Sequence, residues 1–450
     1  MTDPTSGGTI LPRAIGRIAL IGLLLNAVIG SSVFGLPSVM AARLGDASPW
    51  AWVIAAVGMA VVVACFAEVA SRFTAAGGTY LYARVAFGRL AGIEMGWLTY
   101  LVRLTAAATN ANLLVIYLGA FWPEAGTRLM APVVLALVLI PLAAANYRGV
   151  KTGVGVSSFF TVAKLLPLGL FMLVGLLALG TGGAEPVTQG VPPAGTWTWL
   201  EAVLLLVFAY GGFEAALLPL GEAKDPRRDA PVALFTTLVT CTVLYTTVQL
   251  IVSRVLPDAG SHQRPLAEAA RILTGPTGAA LLAAGAVIST YGYLAGSLVN
   301  VPRLTFAMAE QGDLPAAFGV PHPRFHTPYR SVIVFAVLVW LLASSGSFIS
   351  NLSLSAASRL LTYGAVCLAL PVLRRRDADV SPTIEPARLT LPAGCLIAGL
   401  GVVFSLALVL RIAPGEALVL AATMGLGLGH WWLVRREGRA PEGVPGDERG

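Results

Sequence analysis

Long apolar blocks run along the whole chain, separated by short polar or basic segments. A helix needs about 20 apolar residues to cross the hydrocarbon core of a bilayer, and blocks of that length recur between residues 15 and 434. They predict spans near 15–41, 49–72, 91–120, 130–146, 153–179, 197–221, 230–256, 278–309, 329–346, 349–373, 391–411 and 415–434. The predicted fold class is all-α integral membrane, with twelve transmembrane helices. The first block is interrupted by Gly and Ser and lacks a convincing cleavage site, so it reads as a spanning helix rather than a signal peptide.

Two blocks carry polar breaks in corresponding places. Residues 23–37 read LLLNAVIGSSVFGLP, with Gly30, Ser31 and Ser32 in mid-span. Residues 204–219 read LLLVFAYGGFEAALLP, with Gly211 and Gly212 at the centre. Such residues are weak helix formers. The breaks fall in the first and sixth spans, which fits a 5+5 inverted repeat. Interrupted helices in matching halves are the sequence pointer to a transporter site. Unwinding leaves amides and carbonyls that protein, water or ligand must satisfy. A half-helix N-terminus suits a carboxylate, a half-helix C-terminus suits an ammonium, and a zwitterion needs both. The plainer reading of either break is close helix packing through small residues.

Composition agrees with a lipid environment. Charged residues are 12% of the chain and hydrophobic ones 56%, and glycine reaches 49 residues, which membrane helices tolerate. The net charge of +7 raises the question of nucleic acid, and its placement answers it. With the N-terminus inside, 21 Lys and Arg fall on the cytoplasmic side and six (Arg43, Arg128, Arg254, Arg264, Arg271, Arg411) outside. Arg103, Lys164 and Arg359 remain at membrane depth. The charge is thus a topology signal with attraction to lipid headgroups, which predicts that both termini are cytoplasmic. Three lysines against 27 arginines, with abundant Ala and Gly, look like a GC-rich bacterial genome, so a bacterial cytoplasmic membrane is expected. The expected organisation is a tail at 1–14, a first five-helix repeat at 15–180, an inverted second repeat at 197–373, helices 11 and 12 at 391–434, and a tail at 435–450.

The motifs resemble those of the amino acid–polyamine–organocation (APC) superfamily. Ile29-Gly30-Ser31-Ser32-Val33-Phe34 is similar to its first-helix motif, commonly Ile-Gly-Ser/Thr-Gly-Ile-Phe, with Ser32 in place of the second glycine. Phe208-Ala209-Tyr210-Gly211-Gly212-Phe213-Glu214 resembles its sixth-helix motif. Gly221-Glu222-Ala223-Lys224-Asp225-Pro226-Arg227 resembles the loop that follows. Gly77-Gly78-Thr79-Tyr80-Leu81-Tyr82 and Gly312-Asp313-Leu314-Pro315 extend the resemblance over roughly residues 15–375. It implies a leucine-transporter-type fold, alternating access, and amino acid or related amine substrates. On matching positions, Gly30, Ser31 and Ser32 would receive a carboxylate, and carbonyls near Ala27 and Phe208 an amine. Phe208 would gate the site, with Tyr210, Gly211 and Gly212 completing it.

Ionisable groups at membrane depth are functional hypotheses by default. The resemblance places Lys164 where sodium-coupled relatives hold an ion, so its deprotonation would couple transport to protons; alternatively it is a fixed structural cation bonded to first- and eighth-helix carbonyls. The resemblance suggests Glu214 as a gate residue, hydrogen-bonded across the pathway; the plainer reading is a cap on local amides. Arg103 and Arg359 either face the pathway and select anionic groups, or pair with a carboxylate or reach an interface. Asn110, Asn112, Tyr291 and Tyr293 either line the site or bond between helices. Glu68 and Arg72, one turn apart, read as a solvated pair. Trp50, Trp52, Trp122, Trp197, Trp199, Trp431 and Trp432 read as interfacial anchors. No metal spacing joins the histidines, and Cys65, Cys241, Cys367 and Cys395 read as packed thiols.

The leading expectation is a secondary amino acid transporter working by proton symport or by exchange, with a proton or counter-substrate and membrane lipid as its other partners. No enzyme, cofactor, metal or nucleic acid is expected. A polyamine or other organic amine carrier is the near rival, and a channel a more distant one. With Glu214 as its strong acidic candidate, the pocket reads as close to neutral, which favours neutral or modest-sized amino acids over cationic or anionic ones.

Overall fold

A computed structural model describes residues 16–73, 78–149, 154–216, 223–376 and 386–437. The expected tail at 1–14, most of that at 435–450, and the motif positions Gly77, Gly221 and Glu222 lie outside these residues.

The described residues are almost wholly helical. The first block forms two helices, α1 (Arg17–Val28) and α2 (Ser32–Leu44). Then come α3 (Ser48–Ala70), α4 (Gly78–Phe87), α5 (Arg89–Leu118), α6 (Met130–Tyr147) and α7 (Val154–Gly180). The sixth block again gives two pieces, α8 (Thr196–Tyr210) and α9 (Phe213–Ala216). They are followed by α10 (Pro226–Val255), α11 (Pro265–Glu310), α12 (Tyr329–Ser345), α13 (Phe348–Arg375), α14 (Gly394–Val409) and α15 (Pro414–Glu437). Among the described residues, seven helical stretches are long and apolar enough to cross a membrane, and four shorter apolar helices accompany them.

Helix α11 begins earlier than the apolar pattern predicts. Gly275 has a φ of 76° inside it, so a short helix before Pro276 joins a long one after it. Helix α4 is not an apolar block and was outside the predicted spans.

Burial divides the helices into inner and outer sets. The broken segments, α3, α5, α8, α10 and α13 hold most of the buried apolar residues. On α6 and α7, Leu137, Ile140, Val162, Leu166, Leu173 and Leu177 are exposed. An apolar outer surface of that extent suits lipid and would be costly in water.

Polar clusters fix one end of the bundle. Asp313 is fully buried, and Arg89 Nε donates to its Oδ1 at 2.8 Å. Arg84 and the Tyr80 hydroxyl also contact Asp313, so the segments around residues 78–88 and 312–315 meet there. Burial, and then the Asp313 carboxylate, push the Tyr80 phenol up to about 12. Elsewhere at that end, Glu68 and Arg72 are fully buried, which corrects the expectation of a solvated pair. Arg374 Nε and Nη2 donate to the two Glu68 oxygens at 2.7 and 2.6 Å, and the Leu391 amide adds a third donor at 2.8 Å. Helix packing brings α13 and the segment before α14 onto a carboxylate that local spacing alone left facing water.

Candidate functional site

Residues 29–31 separate α1 from α2, and residues 211–212 separate α8 from α9. Ile29 turns to an extended ψ of 90°, so the chain leaves the helix before Gly30. Gly211 is likewise extended, with ψ of 170°. Gly212 has φ of 111°, a conformation that L side chains rarely adopt. A Cβ on Gly212 would lie 2.5 Å from the Ala27 carbonyl oxygen. The two interruptions are therefore packed directly on each other, and glycine is what permits that approach.

Three side chains hold the first interruption. Lys164 Nζ, on α7, donates to the Asn26 carbonyl at 3.1 Å and the Ile29 carbonyl at 2.8 Å. These are first-helix oxygens that lost their intrahelical donors when α1 ended. Asn110 Oδ1, on α5, accepts from the Ser31 amide at 3.1 Å. The Tyr245 hydroxyl, on α10, lies 3.2 Å from both the Val28 and the Ala209 carbonyls, one from each broken helix.

The hydroxyls of Ser31 and Ser32 are buried and have no hydrogen-bond partner. Leaving such groups unpaired is unfavourable, and they stand beside the Ser32 and Val33 amides, which by helix geometry have no intrahelical acceptor, whereas Phe34 and Gly35 already donate to the Ser31 carbonyl at 3.1 Å. A Cβ on Gly30 would meet Asn110 at 3.5 Å and Tyr293 at 3.7 Å, ordinary contact distances. Gly30, Ser31, Ser32, Asn110 and Tyr293 thus lie together.

Glu214 opens α9 and is nearly fully buried. Its Oε2 accepts from the Gly212 amide at 2.8 Å and the Tyr363 hydroxyl at 3.0 Å. Its Oε1 faces Arg103 Nη2 at 3.5 Å and Arg359 Nε at 3.8 Å. Both buried arginines therefore share one carboxylate. Arg359 Nη1 also donates to the Phe208 carbonyl at 3.0 Å, and the guanidinium lies 5.2 Å from the centre of the Phe208 ring. The oxygen that the resemblance offers to a substrate amine already accepts from a protein cation. Gly211 makes room for it, since a Cβ there would sit 1.7 Å from Arg359 Nη1. Tyr210 points elsewhere, its hydroxyl donating to the Trp52 carbonyl at 2.9 Å.

Other candidates separate. Asn112 bonds between helices, donating to the Ala343 carbonyl at 2.7 Å and accepting from Asn351 at 2.9 Å. Tyr291 is exposed and lies near Phe160. Trp50, Trp122, Trp197 and Trp432 are exposed, as anchors would be. Trp52 is not: fully buried, it donates to Gln249 at 2.9 Å and packs 4.9 Å from Tyr245. Among the described residues, no group of His, Cys, Asp and Glu could hold a metal.

A cavity of about 380 Å³ lies between α2, α8 and α13, lined among others by Arg43, Glu201, Leu204, Leu205, Ser353 and Arg411. Leu204 is one helical turn before Phe208, and Ser353 precedes Arg359 by fewer than two. The cavity lies at the end of the bundle opposite the Glu68 and Asp313 clusters.

Sequence reasoning missed Tyr245 and Tyr363. Each is a single tyrosine in an apolar helix, without a local motif. The available signal was depth: a phenol in mid-span needs a polar partner.

The sequence profile of the amino acid permease family matches residues 15–423. The chain is 25% identical to a branched-chain amino acid permease of Bacillus subtilis, covering 96% of this chain and 95% of the relative. It is 27% identical to a methylthioribose transporter of the same organism, over 83% and 84% of the two chains. It is 28% identical to the large neutral amino acids transporter small subunit 2 of Mus musculus, over 85% and 74%.

Proposed function

The chain belongs to the amino acid permease family and is a multi-pass membrane protein, and from that premise we propose a secondary active transporter that carries amino acids by alternating access. The observation that carries the reading is the direct packing of two interrupted helices, with Gly212 against the Ala27 carbonyl and Lys164 on the freed oxygens of α1. Main-chain groups set free at membrane depth are what a polar substrate needs there.

In this reading each broken pair counts as one span, giving twelve. Residues 15–180 form the first five-helix repeat, 197–373 the inverted second, and 391–434 helices 11 and 12. Ala27, Gly30, Ser31, Ser32, Phe208, Gly211 and Gly212 form the substrate site, with Tyr210 supporting it from the side through the Trp52 carbonyl. Phe208 and Glu214 act as gates, and Lys164 couples transport to protons. The excess of Lys and Arg on one side supports cytoplasmic termini, and the preference for Arg over Lys supports a bacterial inner membrane location. A polyamine carrier fits less well, because its substrate would meet Arg103, Lys164 and Arg359.

Uptake of labelled amino acids into proteoliposomes, with and without an imposed pH gradient, tests this. Accumulation driven by an inward proton gradient supports proton symport. Uptake that ignores pH and needs an internal amino acid replaces coupling with exchange. No uptake of any amino acid would overturn the transport reading.

A further inference from the structure

The inventory of hydrogen-bonding groups at the two breaks is lopsided. Of the oxygens freed where α1 and α8 end, those of Asn26 and Ile29 take Lys164. Those of Val28 and Ala209 face Tyr245, and that of Phe208 takes Arg359. The protein's own donors occupy most of the positions that would hold a cation. Its spare capacity is two guanidinium donors, Arg103 Nη2 and Arg359 Nε, against one equally unbonded acceptor, the Glu214 Oε1 that both face, with the buried Ser31 and Ser32 hydroxyls free to donate.

Charge points the same way and corrects the expectation of a near-neutral pocket. Among the described residues around the breaks, Lys164, Arg103 and Arg359 stand against a single carboxylate, Glu214. With Lys164 protonated the excess is two positive charges, and with Lys164 neutral it is still one. Glu214 does not satisfy both guanidiniums, since its Oε1 is 3.5 Å from one and 3.8 Å from the other. Uncompensated charge at membrane depth is unfavourable, and a bound anion relieves it.

Resting on the transport reading above, we propose that the substrate is an amino acid with an acidic side chain, net negative at neutral pH, whose second carboxylate is met by the Arg359 and Arg103 guanidiniums. The α-carboxylate then lies at Gly30, Ser31 and Ser32. The Ala27 carbonyl takes the ammonium, its usual helical donor, the Ser31 amide, being turned to Asn110. A zwitterion with an apolar side chain would leave the excess charge untouched, and a cationic one would add to it.

The test is competition in proteoliposomes holding the full chain. Labelled glutamate uptake is challenged with unlabelled glutamate, aspartate, glutamine, leucine and lysine. Glutamate and aspartate should compete better than glutamine by on the order of a hundredfold, the size expected for a buried charge pair. In Arg359→Gln the glutamate-to-glutamine ratio should collapse towards one while glutamine uptake persists, a change that a merely structural role would not produce. Should that variant fail to fold, Arg103→Gln and the wild-type ratio still decide. Leucine or glutamine carried as well as glutamate by the wild type would overturn this proposal and leave the transporter intact. Uptake of none of the five would remove both.

Discussion

The Lys164 ammonium donates to the Ile29 carbonyl at 2.8 Å, tying α7 to the residue where α1 stops. Loss of its proton would remove the charge from this bond and loosen the tie. We therefore predict that Lys164→Ala uptake no longer responds to an imposed proton gradient, although exchange persists. Labelled uptake at a series of external pH values measures this. A gradient response equal to that of the wild type would exclude Lys164 as the coupling group.

Ser31 combines full burial with a hydroxyl that has no partner. Ser31→Leu should abolish substrate binding in a protein that still folds, because the added bulk enters the break. Binding measured by thermal shift, with size-exclusion profiles as the folding control, tests it. Unchanged affinity would argue against the first-helix site.

Gly212→Ala should destabilise the protein, through both the positive φ and the 2.5 Å approach to the Ala27 oxygen. A strained backbone position of this kind costs about 1–3 kcal/mol. Thermal unfolding in detergent reads the effect, and an unchanged Tm would mean that the breaks are not packed as described.

Glu68→Ala offers a contrast away from the site. It removes the shared acceptor of Arg72 and Arg374, and breaking a buried pair typically costs about 3–5 kcal/mol. Stability should fall while the protein that remains folded keeps its substrate preference. A shift in that preference with stability intact would contradict a purely structural cluster.

The sequence made the apolar helices easy to read and the polar contacts between them hard to read. The expected span at 130–146 and the observed Met130–Tyr147 agree to a residue, because a block of that length has few alternatives. The interruptions were equally legible, since Gly-Ser and Gly-Gly stand out inside apolar runs. Partnerships across the bundle were not. Glu68 looked solvated because i,i+4 spacing says nothing about Arg374, which lies 306 residues away. Trp52 looked interfacial because it sits near a helix start, yet Gln249 on α10 draws its indole inward. Sequence alone leaves Arg103 and Arg359 between two roles, and only packing shows that both face Glu214.

Tyr245 belongs to that hidden set. A phenol carries one proton, while two carbonyls lie 3.2 Å from its oxygen. It can serve either broken helix fully, but not both at once. If those helices drift apart, the hydroxyl can follow whichever stays near, so parting them in either direction gives up less than a full bond. A lock that can release on both sides would suit the alternating access proposed above.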